Sequence, residues 1–144
     1  MMDDSIKPAA KNTYSRLTLE LPLEGLATER FHLRPMTPLD VDVILEMDMD
    51  PEVMKYFPDM PVDEEQHAAN FVEDIQNEER YKFFYLIENK ENNRGMGWVF
   101  VRPTEDGQWI ELGYRLCRQF WGQNAVPEAS KTMLDHAFKV WRSH

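Results

Sequence analysis

The chain has 144 residues, with 16 Lys and Arg against 26 Asp and Glu, which gives a formal net charge of −10. This length suits one domain, and the acidic balance argues against a nucleic-acid partner, which would need clustered cations. The longest apolar run, residues 83–87, is far too short to span a membrane. The single cysteine, Cys117, cannot form an internal disulfide, and the N-terminus shows no secretory pattern, so we expect a cytoplasmic protein.

The first 35 residues predict an arm and two strands. Residues 1–25 form an N-terminal arm, and the leucines that alternate with other residues from 17 to 23 predict an edge strand within it. Residues 30–34 alternate again, and Pro35 ends this second predicted strand.

Two acidic helices are predicted next. Thr37 is a suitable N-cap for a helix over about 38–49, and Asp63 precedes a second helix. The predicted apolar stripe of the first helix is Leu39, Val43 and Met47, and that of the second is Ala68, Phe71, Val72 and Ile75. Residues 40–79 hold 14 acids and one base. Two interpretations stay open: these are solvated acidic faces, or they attract a cationic partner.

Three strands and a final helix complete the predicted order. Residues 82–88, 95–102 and 108–116 have strand-like patterns, with a hairpin signal at Asp106-Gly107 between the last two. Pro127 is expected to open the last helix, whose apolar positions are Ala129, Met133, Ala137, Phe138 and Trp141. The order is therefore strand, helix, helix, three antiparallel strands and helix.

The segment from 110 to 129 contains a candidate phosphate-binding loop. A strand ends, a short loop with Gly122 follows, and a helix begins. Such a unit leaves main-chain N–H groups unpaired at the positive end of the helix, where they bind phosphate. The glycines fit neither a Walker loop nor a dinucleotide fingerprint, so an ordinary turn is the alternative interpretation.

Three segments of this sequence resemble motifs of one known family. Residues 26–35 (LATERFHLRP) resemble "L-x-T-x-R-L-x-L-R-P", residues 111–116 (ELGYRL) resemble "(E)-I-G-Y-x-L", and residues 121–129 (WGQNAVPEA) resemble "W-G-K-G-Y-A-T-E-A". On these motifs the chain resembles the GNAT superfamily of acyl-CoA-dependent N-acyltransferases over residues 26–142. The branch it resembles most includes the ribosomal-protein-alanine N-acetyltransferases.

The resemblance implies an α+β fold, in which a mixed, mostly antiparallel sheet is flanked by helices. Residues 26–144 would form a partial domain, because family members continue with a strand, a helix and two more strands. The chain is then a fragment, is completed by another chain, or is naturally degenerate. Strand 111–116 would present an open edge, which leads us to expect a homodimer through that edge.

The resemblance also implies the site. The family's pyrophosphate signature, Gln/Arg-x-x-Gly-x-Gly/Ala, falls on Gln119, Gly122 and Asn124, of which Asn124 departs from the pattern. Val126 and Pro127 replace the usual Ala-Thr, and Pro127 removes one N–H donor. The expected cofactor-binding residues are Tyr114, Leu116, Arg118, Gln119, Gly122, Gln123, Asn124 and Ala125. For Arg118 the alternative is an ordinary surface charge.

The function implied is transfer of an acetyl group from acetyl-CoA to a primary amine of a cationic acceptor, such as a protein N-terminus, a polyamine or an aminosugar. Glu111 is the candidate base, acting through water; alternatively it orders the sheet or pairs with a cation. A catalytically inactive binding or dimerisation module is the second hypothesis, and an unrelated small α/β domain is the third. Cys117 is expected to be a small packing or surface residue, and the four histidines lack metal-ligand spacing and are expected at the surface or on a helix face.

Overall fold

A computed structural model describes residues 22–142, and the side chains of residues 22–140. Its strands are β1 (Leu26–Ala27), β2 (Phe31–Pro35), β3 (Phe84–Asn89), β4 (Gly95–Pro103) and β5 (Ile110–Leu116). Its α-helices are α1 (Val41–Asp48), α2 (Glu64–Asn77) and α3 (Ala125–Arg142), with 3₁₀ turns at Pro38–Asp40, Glu79–Phe83 and Arg118–Phe120. The edge strand predicted at 17–23 lies outside the described residues, except for its end, where Leu23 lies in a turn.

The five strands form one sheet in the order β1-β2-β3-β4-β5, and every neighbouring pair is antiparallel. Val99 of β4 lies opposite Tyr85 of β3 and Tyr114 of β5. The mostly antiparallel α+β architecture expected from the resemblance is confirmed. Among the described residues, β5 pairs only with β4, so its other edge is open.

Helices cover both faces of the sheet. Trp98, with its cross-strand neighbours Leu86 and Arg115, lies on the face that α1 and α2 cover. The opposite face carries Val99, whose side chain is fully buried, and α3 covers it with Ala129, Met133 and Ala137, each 0% exposed. This arrangement places the acidic helix pair on one side of the sheet and α3 on the other.

The start of the first helix follows its sequence signals, with one exception. Thr37 caps the turn in a capping box with Asp40, and Asp40 also accepts two bonds from Arg34. Val43 and Met47 are buried as predicted, but Leu39 is 90% exposed. The reason is that Leu39 belongs to a 3₁₀ turn, whose three-residue period puts it off the apolar stripe of α1.

The last helix begins two residues earlier than predicted, at Ala125 rather than at Pro127. Proline still fits within the first turn because the N–H it lacks would have no partner inside the helix. Phe138, predicted as part of the apolar stripe of α3, is 45% exposed. Among the described residues, no helix is both long and apolar enough to cross a membrane.

Candidate functional site

The open edge of β5 presents the main-chain groups of alternate residues. The N–H of Cys117 donates to the carbonyl of Met96 at 2.9 Å, and the carbonyl of Trp109 accepts from Thr104 at 2.9 Å. Because main-chain groups alternate sides along an antiparallel strand, the odd-numbered residues of β5 direct their N–H and C=O groups towards β4. Tyr114 and Leu116, which the resemblance named for the cofactor, therefore turn their N–H and C=O groups towards the open edge.

The loop between β5 and α3 has two residues in the left-handed backbone region. Gly122 has φ 79° and Asn124 has φ 60°, which are conformations that glycine and asparagine tolerate best. The main-chain N–H groups of residues 122–126 donate no hydrogen bond to any described part of the chain. A row of free N–H groups at the start of a helix is a ready site for a phosphate.

The side chains before the loop are bound to the end of α1. Arg118 Nε lies 3.0 Å from an oxygen of Asp50, and Gln119 Nε2 donates to Glu46 Oε2 at 2.6 Å. Burial raises the pKa of Glu46, but hydrogen bonds from Arg94 and Gln119 outweigh burial and hold that pKa below its ordinary value. These contacts fix the loop to α1, although Arg118 remains 57% exposed.

A second set of contacts holds the loop from the other side. Thr28 Oγ1 donates to Glu128 Oε2 at 2.6 Å, and Arg30 donates through its main-chain N at 2.9 Å and through Nε at 2.7 Å to the same carboxylate. Arg30 Nη2 also donates to the carbonyl of Gln123 at 3.0 Å. We call Thr28, Arg30 and Glu128 the carboxylate clamp. Sequence reasoning missed it, although all three residues belong to quoted motifs.

A cavity of about 480 Å³, the loop cavity, lies beside the loop. It is lined by residues of the loop, of β5 and of the segment after α1, among them Val53, Phe57, Tyr114, Leu116, Trp121 and Asn124. Trp121 Nε1 donates to the carbonyl of Leu116 at 3.0 Å, which fixes the indole at the rim. The cavity therefore joins the open edge of β5 to the row of free N–H groups.

A second cavity, the helix cavity, has a volume of about 340 Å³ and lies between the helix pair and the sheet. Its polar lining includes Asp48, Asp59, His67, Asp74, Arg80 and Arg115. Its aromatic lining is Phe57, Tyr81, Phe84 and Trp98. Phe57 and Arg115 line both cavities, so the two cavities meet at this pair.

Asp48 connects three elements in the wall of the helix cavity. Its Oδ1 accepts from Arg115 Nη1 at 2.7 Å, and its Oδ2 lies 2.8 Å from His67 Nε2. The guanidinium of Arg115 stacks over Phe57 at 4.4 Å and lies 5.1 Å from the Trp98 ring. Asp48 is 6% exposed. His67 lies on α2 with 24% of its side chain exposed, in agreement with the expectation of a residue at the surface or on a helix face, and the helix pair brings it against this buried carboxylate.

Glu111 lies on the sheet face that the helix pair covers, but it lines neither cavity. Its Oε1 accepts from Arg102 Nε at 3.0 Å, and the Arg102 side chain is only 2% exposed. Gly113, two residues along the strand, leaves room for the Phe100 ring, which a Cβ there would meet at 2.2 Å. The contact with Arg102 corresponds to the alternative of a cation pair, and the role of base stays a prediction.

Cys117 is buried beneath the loop, where burial, with a contribution from Glu46, raises the pKa of its thiol to about 12. A thiol of this kind is a packing residue at neutral pH. Within residues 22–142, no group of three or more His, Cys, Asp and Glu side chains is placed to hold a metal ion.

Comparisons with known proteins identify the family of the chain. Residues 30–143 match the acetyltransferase (GNAT) domain family. The chain is 29% identical over 120 residues to the uncharacterized N-acetyltransferase p20 of Bacillus licheniformis, a match that covers 81% of this chain and 67% of that protein. It is 28% identical over 117 residues to the uncharacterized protein YkkB of Bacillus subtilis, which covers 78% of this chain and 67% of that one.

The fold is also found in a solved structure. The GNAT-family acetyltransferase from Bacillus anthracis superposes with a TM-score of 0.69 at 22% identity, covering 81% of this chain and 68% of that one. At this level of identity the likeness shows the fold alone. Together with the family match over residues 30–143, it establishes that the chain belongs to the GNAT family of acetyltransferases.

Proposed function

We propose that this chain transfers an acetyl group from acetyl-CoA to a primary amine. The observation that carries the proposal is the row of free main-chain N–H groups at residues 122–126, which opens into the loop cavity. The diphosphate of coenzyme A would take these donors, and the pantetheine amides would bind the main-chain N–H and C=O of Tyr114 and the N–H of Leu116, whose C=O already accepts from Trp121 Nε1. Gln123 and Ala125 take part through their backbone, whereas Arg118 and Gln119 shape the loop through their contacts with α1.

The acceptor we propose is a cationic amine: a protein N-terminus, a polyamine or an aminosugar. The support is the acidic segment 40–79, whose helices form the wall of the helix cavity. Three carboxylates line that cavity, and its aromatic rings can hold an ammonium group by cation–π attraction. Arg80 and Arg115 offset part of the negative charge, so an acceptor that also carries an electronegative oxygen fits the same lining.

The proposed reaction needs a base, because an alkyl amine with a pKa near 10 is mostly protonated at neutral pH. Glu111 was predicted for this role through a water molecule. Its carboxylate is 35% exposed, which leaves room for such a water.

The test is incubation of the full chain with acetyl-CoA and a panel of amines: 2-phenylethylamine, spermidine, glucosamine and an alanine-initiated peptide. Release of free thiol that depends on one of these amines is the expected result. Calorimetry with CoA is run in parallel. No thiol release with any amine would contradict the proposal.

The second candidate is a binding module without catalysis. It is favoured by Asn124 and Pro127, which depart from the family signature, and by Gln119, whose side chain is already bound to Glu46. Absence of CoA binding at millimolar concentration would favour this candidate, whereas binding with amine-dependent thiol release would exclude it.

We also propose that the chain forms a homodimer through the open edge of β5, at its Leu112 end, which leaves the main-chain groups nearer the loop to the pantetheine. The support is the edge of β5, which has no partner strand within residues 22–142, together with exposed apolar side chains on β5, Leu112 at 37% and Tyr114 at 54%, and on α3, Phe138 at 45%. Light scattering at high protein concentration should give a dimer mass, and a Leu112→Lys variant should shift it towards the monomer. A monomer mass for the unaltered chain would contradict this proposal. The cytoplasmic location stays a prediction.

A further inference from the structure

The helix cavity contains a histidine–carboxylate pair. His67 Nε2 lies 2.8 Å from Asp48 Oδ2, and the imidazole is about a quarter exposed, with 24% of its side-chain surface accessible. Its other ring nitrogen, Nδ1, has no hydrogen-bond partner among the described residues. When a carboxylate binds one ring nitrogen as acceptor, it fixes the proton there and leaves the other nitrogen as a base.

Asp48 is held so that it can orient the imidazole, but it cannot itself take the proton of the amine. Its second oxygen accepts from Arg115 Nη1 at 2.7 Å, so both carboxylate oxygens are engaged. With its side chain 9% exposed, Asp48 has little contact with solvent. A carboxylate fixed in this way stabilises the protonated imidazole when it forms, and Asp48 is accordingly a positioning residue.

The charged and titratable groups around His67 come from every neighbouring element. Asp63 caps the helix that carries His67, and its main-chain carbonyl accepts from His67 N at 2.9 Å. The other groups that share the cavity with His67 are Asp48, Asp59, Asp74, Arg80, Tyr81 and Arg115. The set mixes acids and bases, so a proton transferred to His67 does not create an isolated buried charge.

We propose that His67 is the group that removes the proton from the acceptor amine. This inference rests on the acyl transfer proposed above and replaces Glu111 in one step of it. His67 Nδ1 takes one proton from the ammonium group, and the freed nitrogen lone pair attacks the thioester carbonyl. The C–N bond forms, the C–S bond breaks with its electron pair on sulfur, and the second amine proton goes to the thiolate. The products are an amide and a free thiol, and the imidazolium returns its proton to solvent.

Position distinguishes His67 from Glu111. His67 lines the helix cavity, and Arg115, which is paired to the same Asp48, lines both cavities. Glu111 lines neither and is paired with the buried Arg102. A base must come within hydrogen-bond reach of the amine or act through one water. An amine in the helix cavity is therefore within reach of the imidazole of His67, whereas the carboxylate of Glu111 lies outside the cavity.

The kinetic test is a pH profile of His67→Gln, with 2-phenylethylamine as acceptor. Glutamine can still donate to Asp48 but cannot take a proton, so kcat should fall about 100-fold at pH 7. The loss should shrink to less than about tenfold near pH 10, where about half of the amine is already neutral. A merely structural role would lower kcat equally at both pH values, and that result would overturn the proposal.

Two matched variants sharpen the result. His32→Gln carries the same change at a histidine that lines neither cavity, and it should leave kcat unchanged at both pH values. Glu111→Gln should lower kcat without the recovery at high pH. If Glu111→Gln shows the pH-dependent recovery and His67→Gln does not, Glu111 is the base and our inference fails.

A readout without turnover separates this inference from the proposed function. In NMR titrations, 2-phenylethylamine should shift the ring signals of His67 and leave those of His32 in place. That result together with no thiol release would refute the acyl transfer while retaining His67 as the amine contact. If the His67 ring does not respond to the amine, the inference is overturned, whatever the turnover.

Discussion

The two cavities are built by different parts of the chain. The loop cavity relies on the main-chain N–H groups of one continuous segment, residues 122–126. Their placement depends on the backbone conformation of that segment and not on side chains. The helix cavity relies on side chains that α1, α2 and β5 bring together, in particular Asp48, His67 and Arg115. If the proposed function holds, the difference predicts that backbone conformation controls CoA binding, whereas the pairing of buried side chains controls the acceptor chemistry and much of the stability.

The largest expected effect is loss of stability on removing the centre of the side-chain network. Asp48→Ala leaves the guanidinium of Arg115, whose side chain is 11% exposed, without its carboxylate. Breaking a buried ion pair in this way should lower the free energy of unfolding by about 3–5 kcal/mol. The control is Asp135→Ala, because the Asp135–Lys131 pair is largely exposed and should contribute less than about 1 kcal/mol. Urea unfolding measures both variants, and equal shifts would show that the network stabilises the fold no more than an exposed ion pair does.

The second prediction concerns the backbone of the loop. A Cβ at Gly122 would meet no atom within 4 Å, so Gly122→Val tests conformation rather than space. The left-handed φ of 79° costs a branched residue about 1–2 kcal/mol, which should weaken CoA binding about tenfold. Asn124→Gly keeps the required positive φ and should bind CoA at least as well as the unaltered chain. Calorimetry decides, and equal affinity for all three proteins would contradict main-chain control.

The smallest predicted effect is a pH-dependent contribution from the carboxylate clamp. Burial raises the pKa of Glu128, but hydrogen bonds from Thr28 and Arg30 outweigh burial and lower it below its ordinary value. A lowered pKa in the folded state contributes stability above the ordinary value, about 4.3, and this contribution is lost as the pH falls through the lowered pKa. Glu128→Gln should remove about 1–2 kcal/mol at pH 7 and flatten this acid limb.

The acid limb is measured by urea unfolding between pH 7 and pH 3. Glu105→Gln is a suitable control, since Glu105 lies in the β4–β5 hairpin, away from the clamp. If Glu128→Gln retains the full slope of the unaltered chain between pH 5 and pH 3, the clamp does not couple to folding.

Local signals predicted much of the fold. The capping box at Thr37, the N-cap at Asp63 and the alternation in β3 to β5 act over a few residues, and the structure has those elements close to their predicted bounds. Two predictions were wrong by a turn or less, the burial of Leu39 and the start of α3 at Pro127. Leu39 lies in a 3₁₀ turn, and α3 begins directly after Asn124, whose φ is positive. Such shifts depend on local backbone angles that composition does not encode.

The sequence by itself determined the α+β element order, the family motifs and the loop around Gly122, because each is a short-range pattern of residue types. Only the tertiary structure decided that Glu111 pairs with Arg102, that Glu128 joins Thr28 and Arg30, and that His67 meets Asp48. Glu128 and Thr28 lie 100 positions apart, and Asp48 and Arg115 lie 67 apart. Contacts at such separations follow from strand register and helix packing, which no single segment of the sequence contains.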